Sequence, residues 1–291
     1  MFSIIDTERR DFMPNQPLIY TIEASLSLKA SFYQTKNPHP KNATLLYLHG
    51  GGFLFGSRDD LPQAYLDLFL ENGFNVLAFD YPLAPETPLR EILHCLEDAV
   101  TWFLAHFQTT LDLSEPDFFL FGRSAGGYLA SILTANNYEH QRGLIRFYGY
   151  HHFEHPAFTL PNTYYHRFPK VSPLEAQQLI QDHPVADQPL EKRFPLYLSA
   201  RQYGNWLSYL GPLTKELSLS TTQLTHFPPT FIVHCTDDPD VPIASSRELS
   251  KAVSNSEFLE LHVAEHDFDR EKNPIADDVY QKLRAWLFKT I

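Results

Sequence analysis

The chain has 291 residues, 43% of them hydrophobic, and a formal net charge of −12. That length suits one large domain, or a core domain with an insertion. The acidic balance excludes nucleic acid and anionic membrane surfaces as expected partners, and no apolar run is long enough to span a bilayer.

The first ten residues, Met1 to Arg10, lack a basic start followed by an apolar core, so no secretory signal is expected. Residues 18–34 alternate apolar and polar side chains and read as two edge strands. Ala43 to Leu48 is almost continuously apolar, as a strand buried on both faces is. It runs into His49-Gly50-Gly51-Gly52-Phe53. Residues 60–72 are amphipathic, with Leu61, Ala64, Tyr65, Leu68 and Phe69 on one face and Gly73 as the stop. Asn75 to Phe79 is another buried strand, and Asp80 to Glu86 is a Pro-rich loop. A long helix is expected over 88–107, then a strand over 118–121. After it come Gly122-Arg123-Ser124-Ala125-Gly126-Gly127, a helix over 128–133 and a strand over 144–148. Strands and helices alternate, which predicts an α/β fold with a mostly parallel central sheet and helices on both faces.

From 151 to 226 the pattern breaks. This stretch is rich in Pro, His and aromatics, among them Tyr164, Tyr165, Phe168, Tyr203, Trp206 and Tyr209. Helices are expected over 172–182, 188–194 and 203–218. Such a density of rings lines a pocket or packs onto something. The segment therefore reads as a helical, aromatic-rich cap inserted into a core made of 1–150 and 227–291. The regular pattern resumes with a strand over 230–235, an acidic loop over 236–242 and a helix over 245–255. A strand over 257–264, the loop Glu265 to Asp269 and a closing helix over 277–290 complete the chain.

Two stretches carry chemistry. Three consecutive glycines have no use inside a regular element. They let backbone N–H groups approach a developing negative charge, as an oxyanion hole requires. A phosphate loop of the Walker type would want Gly-Lys-Ser/Thr, which is absent here. In the second stretch a strand, a sharp turn and a helix hold Ser124 at the apex of Gly-x-Ser-x-Gly. The Gly loop, Ser124, the acidic loop and His266 all fall at the carboxyl ends of predicted strands, where open parallel sheets bind ligands.

His49-Gly50-Gly51-Gly52-Phe53, Asp80-Tyr81 with Leu83-Ala84-Pro85-Glu86, and Gly122 with Ser124-Ala125-Gly126-Gly127 together resemble the α/β-hydrolases of the hormone-sensitive-lipase-like carboxylesterase branch. The resemblance covers 43–150 well and 228–290 acceptably. It implies Ser124 as nucleophile, His266 as general base and Asp238 as its orienting acid, in the chain order Ser, Asp, His. It further implies an oxyanion hole from the N–H groups of Gly51, Gly52 and Ala125, with His49 bracing the Gly loop. Three positions depart from the family: Arg123 stands where Asp is usual, Pro82 where Arg is usual, and Asp267 where Gly follows the catalytic His. Arg123 is expected to pair with an acidic group of the cap or the substrate.

Asp237 and Asp240 are alternative acids, and His262, read as lying inside the last strand, is the rival base. His151-His152 with Glu154 and His155 lacks the spacing of a zinc helix, so no metal is expected. No cofactor is expected either. Cys95 and Cys235 lie in different predicted elements and read as free buried thiols, Cys235 packing in its strand, in a reducing compartment, by default the cytoplasm. The residues thus point to a serine hydrolase acting on a small-molecule ester of small to medium size. A peptidase or amidase on the same fold, or a non-catalytic ligand binder, are the alternatives, and a homodimer is left open.

Overall fold

The computed structural model describes residues 17–291, so the reading of the N-terminal ten residues lies outside the described part. One eight-stranded sheet runs through it, in the spatial order β1-β2-β4-β3-β5-β6-β7-β8. The strands are β1 (Leu18–Glu23), β2 (Leu26–Tyr33), β3 (Ala43–Leu48), β4 (Asn75–Phe79), β5 (Asp117–Arg123), β6 (Gln141–Phe147), β7 (Thr230–Cys235) and β8 (Ser256–Leu261). β1 and β2 pair antiparallel with each other, and β2 pairs antiparallel with β4. Every later pairing is parallel. β2 therefore lies inside the sheet, and only β1 of the first two strands is an edge.

The central strands are apolar on both faces because both faces are covered. Leu46 and Leu48 of β3 join a core with residues of α2 (Leu89–His106) and α3 (Ala125–Thr134). Leu45 and Tyr47 of the same strand face the other core, shared with α1 (Gln63–Glu71) and α8 (Pro274–Thr290). α7 (Ala244–Ala252) follows β7 and adds Leu249 to the first core. These are the helices expected from periodicity, with ends displaced by a few residues. β8 stops at Leu261, so His262 lies just past the strand and is exposed, correcting its placement.

Between β6 and β7 the chain makes short helical pieces. α4 (Pro173–Gln177) is one turn, capped by a reciprocal Ser172–Glu175 capping box, where an eleven-residue helix was expected. α5 (Leu190–Tyr203) runs through Pro195 and ends at Gly204, whose φ of 71° gives a left-handed stop. The helix expected over 203–218 does not form. Gly204 closes the preceding helix, and Gly211, at φ 76°, leaves only 3-10 turns at Trp206–Leu210 and Lys215–Leu217. α6 (Thr221–Leu224) is a further single turn. Among the described residues no helix is long and apolar enough to cross a membrane.

The register sets the site. Leu48 pairs with Gly122, and Arg123 with Phe147, so the Gly loop after β3 lies beside the turn after β5. Cys235 pairs with Leu261, which puts the loops after β7 and β8 side by side at the same edge.

Candidate active site

Ser124 stands between β5 and α3 with φ 54° and ψ −118°, a conformation that L residues avoid. Such backbone is held against a cost of about 1–3 kcal/mol by its surroundings. Here Ser124 N–H donates to Phe147 O at 2.9 Å, and Tyr128 N–H donates to Ser124 O at 3.1 Å. The turn is possible only because its flanks are bare. A Cβ on Gly126 would lie 2.1 Å from Leu48 O, so the helix can sit against β3 only without one.

His266 reaches Ser124 from the loop after β8. Its Nε2 is 2.8 Å from Ser124 Oγ, and its Nδ1 is 2.7 Å from Asp238 Oδ2. Asp238 can only accept, so Nδ1 carries the proton and Nε2 of the neutral ring faces the hydroxyl. The other Asp238 oxygen, Oδ1, accepts from the N–H groups of Asp240 and Val241 at 2.8 and 2.9 Å. His234, fully buried, adds its Nε2 at 3.2 Å from Asp238 Oδ2. Burial works to raise the Asp238 carboxyl, but the His266 charge and the hydrogen bonds from His234 and His266 hold it below the usual carboxylate range. For His266, burial works to lower the imidazole. The Asp238 charge and hydrogen bond, with Asp240 and Asp267 behind them, overcome it and push the ring up to about 9. Asp238 is thus the carboxylate that meets His266 Nδ1. Asp240 lies 3.8 Å from Nε2 instead, and Asp237 bonds Thr236.

The Gly loop faces the same spot. Gly51 has φ 102°, and its carbonyl accepts from Leu54 N and Phe55 N, so the loop folds back on itself. A Cβ on Gly50 would lie 3.4 Å from Ser124 Cβ, which is how near the loop comes. His49 is fully buried, stacks on Tyr81 at 4.0 Å between ring centroids, and has Nδ1 2.8 Å from Gly50 O. Burial lowers the basicity of its ring.

A family model for the alpha/beta hydrolase fold matches residues 45–270. The chain belongs to the α/β-hydrolases. That bears out the resemblance drawn from the Gly loop and the Ser124 turn. A protein from Staphylococcus aureus subsp. aureus Mu50, described only as of unknown function, is similar at 28% identity and TM-score 0.83, over 95% of this chain and 99% of that one. An α/β-hydrolase superfamily protein from Enterococcus faecalis is similar at 30% identity and TM-score 0.76, over 90% and 95%. Methylphloroacetophenone synthase of Cladonia uncialis is 36% identical over 138 residues, 43% of this chain. The chain spans only 5% of that synthase's length.

Beside Ser124 the hydrolase has a small, partly open pocket. Gly52 and Ser124 line it with Tyr150, Phe158, Tyr197, Trp206, Arg201, Asp240 and Val241. Of the rings singled out in the sequence, only Trp206 is a wall, and its Nε1 donates to Gly52 O at 3.0 Å. Tyr203 is exposed, while Tyr164, Tyr165 and Phe168 pack on one another. Tyr197 and Arg201 were missed because a proline inside their helix reads as its end.

Arg123 does not point toward a cap residue or a substrate. It is buried, its Nη2 donating to Asp269 Oδ1 at 3.2 Å and its Nε to the Tyr148 hydroxyl at 2.8 Å. The acid comes from the His266 loop, and the Tyr148 ring stands edge-on to the imidazole at 4.8 Å. Arg123 therefore ties the Ser124 turn to the His266 loop beneath the site.

Of the residues weighed as metal ligands, His151 and His152 come together with Glu248, their ligand atoms within 4.8 Å of one another. Glu154 and His155 are not in that group. His151 Nδ1 accepts from Ser245 Oγ at 2.9 Å and lies 3.3 Å from Arg146 Nη1, whose positive charge opposes a cation there. Burial first, and Arg146 second, depress the His151 ring to about 2. Cys235 is buried in β7, where burial pushes its thiol up to about 12, so it is no nucleophile at neutral pH.

Proposed function

We propose that this α/β-hydrolase cleaves carboxylic esters of small to medium size through an acyl-enzyme. The observation that carries the reading is the unbroken line from Ser124 Oγ to His266 Nε2 at 2.8 Å and from His266 Nδ1 to Asp238 at 2.7 Å. Ser is a poor nucleophile unless a base lies within hydrogen-bond reach. His266 takes the Ser124 proton as Oγ attacks the ester carbonyl, and the bond to the alcohol oxygen breaks as the same proton passes to it. Water then repeats the sequence on the acyl-enzyme. Asp238 fixes the imidazole tautomer and steadies the imidazolium. The N–H groups of Gly51, Gly52 and Ala125 take the oxyanion, each donor typically worth about 3 kcal/mol of barrier. Residues 151–226 act as the cap, closing over the core of 1–150 and 227–291. The two buried free thiols support a cytoplasmic location.

The narrow pocket beside Ser124 favours an ester of a short acid over a polypeptide, which needs an extended cleft. A panel of p-nitrophenyl esters of rising acyl length, set beside aminoacyl anilides, tests this. Turnover of short-chain esters with little on the anilides is expected. Turnover confined to the anilides would move the protein to the amidases.

The pH profile gives a second check. A general base works only when unprotonated, so a ring pushed up to about 9 moves the ascending limb toward alkali. kcat/KM on a neutral ester is expected to climb about tenfold per pH unit to near pH 9 and then level. Asp240→Asn removes one of the charges that raise the ring, and its limb should lie at lower pH than the wild type's. A wild-type limb centred below 6.5 would show that the surroundings of His266 do not raise its ring.

A further inference from the structure

The pocket beside Ser124 is lined by rings, yet three polar atoms in its wall have no hydrogen-bond partner: Tyr150 Oη, Arg201 Nε and Asp240 Oδ1. Their residues are 1%, 2% and 5% exposed, so bulk water does not satisfy them. A buried polar group is normally paired, and leaving one dry is costly. The rest of each group is accounted for. Asp240 Oδ2 accepts from Tyr197 Oη at 2.6 Å. Arg201 Nη2 donates to the Asp240 backbone carbonyl at 2.9 Å. It also lies 2.9 Å from Asp240 Oδ1, a charge contact that leaves that oxygen without an aligned hydrogen bond. What remains is two donors, the tyrosine hydroxyl and the guanidinium Nε–H, and one acceptor, the carboxylate oxygen.

We infer that the enzyme's preferred substrates carry a neutral hydroxyl on a short acyl group, which enters this pocket and binds Tyr150, Arg201 and Asp240. The inference deepens the esterase reading and rests on it. A hydroxyl both donates and accepts, so it answers both kinds of group at once. Charge argues for a neutral group. A carboxylate would meet Asp240, an ammonium would meet Arg201, and the two wall charges already balance each other. Size argues for a short chain, because the closed part of the pocket is small. The acyl side is indicated by the walls: Ser124, which carries the acyl group in the proposed mechanism, and Gly52 line the pocket.

The experiment uses umbelliferyl esters in matched pairs, 3-hydroxybutyrate against 3-methylbutyrate and 2-hydroxypropionate against 2-methylpropionate, each hydroxy acid as both enantiomers. In each pair a hydroxyl replaces a methyl of similar size. Every kcat/KM is divided by the rate of hydroxide-driven hydrolysis of the same ester, which removes intrinsic reactivity. The wild type should favour at least one hydroxy ester by roughly tenfold or more, since a site with hydrogen-bonding groups discriminates against the analogue that cannot pair them. Tyr150→Phe removes one oxygen and should pull that ratio toward one, with its folding checked by thermal melting. A wild type that favours the methyl partner, or is indifferent, overturns the inference and leaves the esterase reading standing. So does a hydroxyl preference that Tyr150→Phe leaves untouched, since the groups named here would not be its source. Failure to hydrolyse any ester, with no fluorophosphonate labelling of Ser124, would instead bring down the esterase reading, and this inference with it.

Discussion

Replacing Ser124 with Ala should lower kcat on a short-chain ester by a factor on the order of 10⁶ and abolish fluorophosphonate labelling. The loss comes from the missing oxygen alone. Ser124 N–H and C=O are both engaged by backbone partners, Phe147 O and Tyr128 N, so the turn does not depend on the side chain. Thermal melting should therefore stay near the wild-type value. Asp238→Asn should cost about 10⁴ in kcat, because an amide at that place can donate to Nδ1 and favour the wrong tautomer. Residues that act as a unit lose their effects together, so a Ser124→Ala, Asp238→Asn double variant should be little worse than Ser124→Ala. Retained ester turnover and labelling in Ser124→Ala would place the nucleophile elsewhere and end the triad reading. Near-additive losses would mean that Asp238 acts on something other than the Ser124–His266 couple.

Much of the fold was legible because the central strands are buried on both faces. Ala43–Leu48, Asn75–Phe79 and Thr230–Cys235 contain almost nothing but apolar or β-branched residues, and a run of that kind leaves few choices. The candidate site was legible for a related reason: glycine clusters at strand ends mark close backbone approach, as at Gly126 against Leu48. Reading failed where tertiary contacts override local preference. Pro195 lacks an N–H and should end a helix. Yet α5 continues to Tyr203, because Arg193 before it and Tyr197 and Arg201 after it are locked by distant partners. Arg123 shows the same limit. Its acid, Asp269, is 146 residues away, and no local pattern announces such a pair. Of the pocket's polar side chains, Tyr197 and Arg201 lie on the misread helix, and Asp240 was weighed only as a rival to Asp238.

The same helix supplies the largest expected loss of stability. Arg193 is 1% exposed and makes four hydrogen bonds through its guanidinium. Nη1 and Nη2 grip the Glu86 carboxylate at 2.6 and 2.8 Å, Nε donates to Leu54 O at 2.9 Å, and Nη2 donates to Ala84 O at 2.7 Å. Glu86 Oε1 also accepts from Gln181 N–H at 2.9 Å. One side chain thus joins the Gly-loop segment, the Asp80–Glu86 loop and α5. Removing one partner of a buried pair leaves the other charge stranded, at a cost of about 3–5 kcal/mol. Arg193→Met should accordingly lower the melting temperature by roughly 10 °C. Replacing both, as Arg193→Met with Glu86→Leu, should recover part of that loss, since the stranded carboxylate is gone. Function should follow stability in a particular way. Residues four apart share a helix face, so Arg193, Tyr197 and Arg201 form one row, anchored at its first member and lining the pocket at the other two. Loosening the anchor should raise KM for short esters more than it lowers kcat, while fluorophosphonate still labels Ser124, whose turn belongs to the sheet. A melting temperature unchanged in Arg193→Met would show that α5 is held by its apolar contacts alone, and a fall in kcat with KM untouched would show that the row does not shape the pocket.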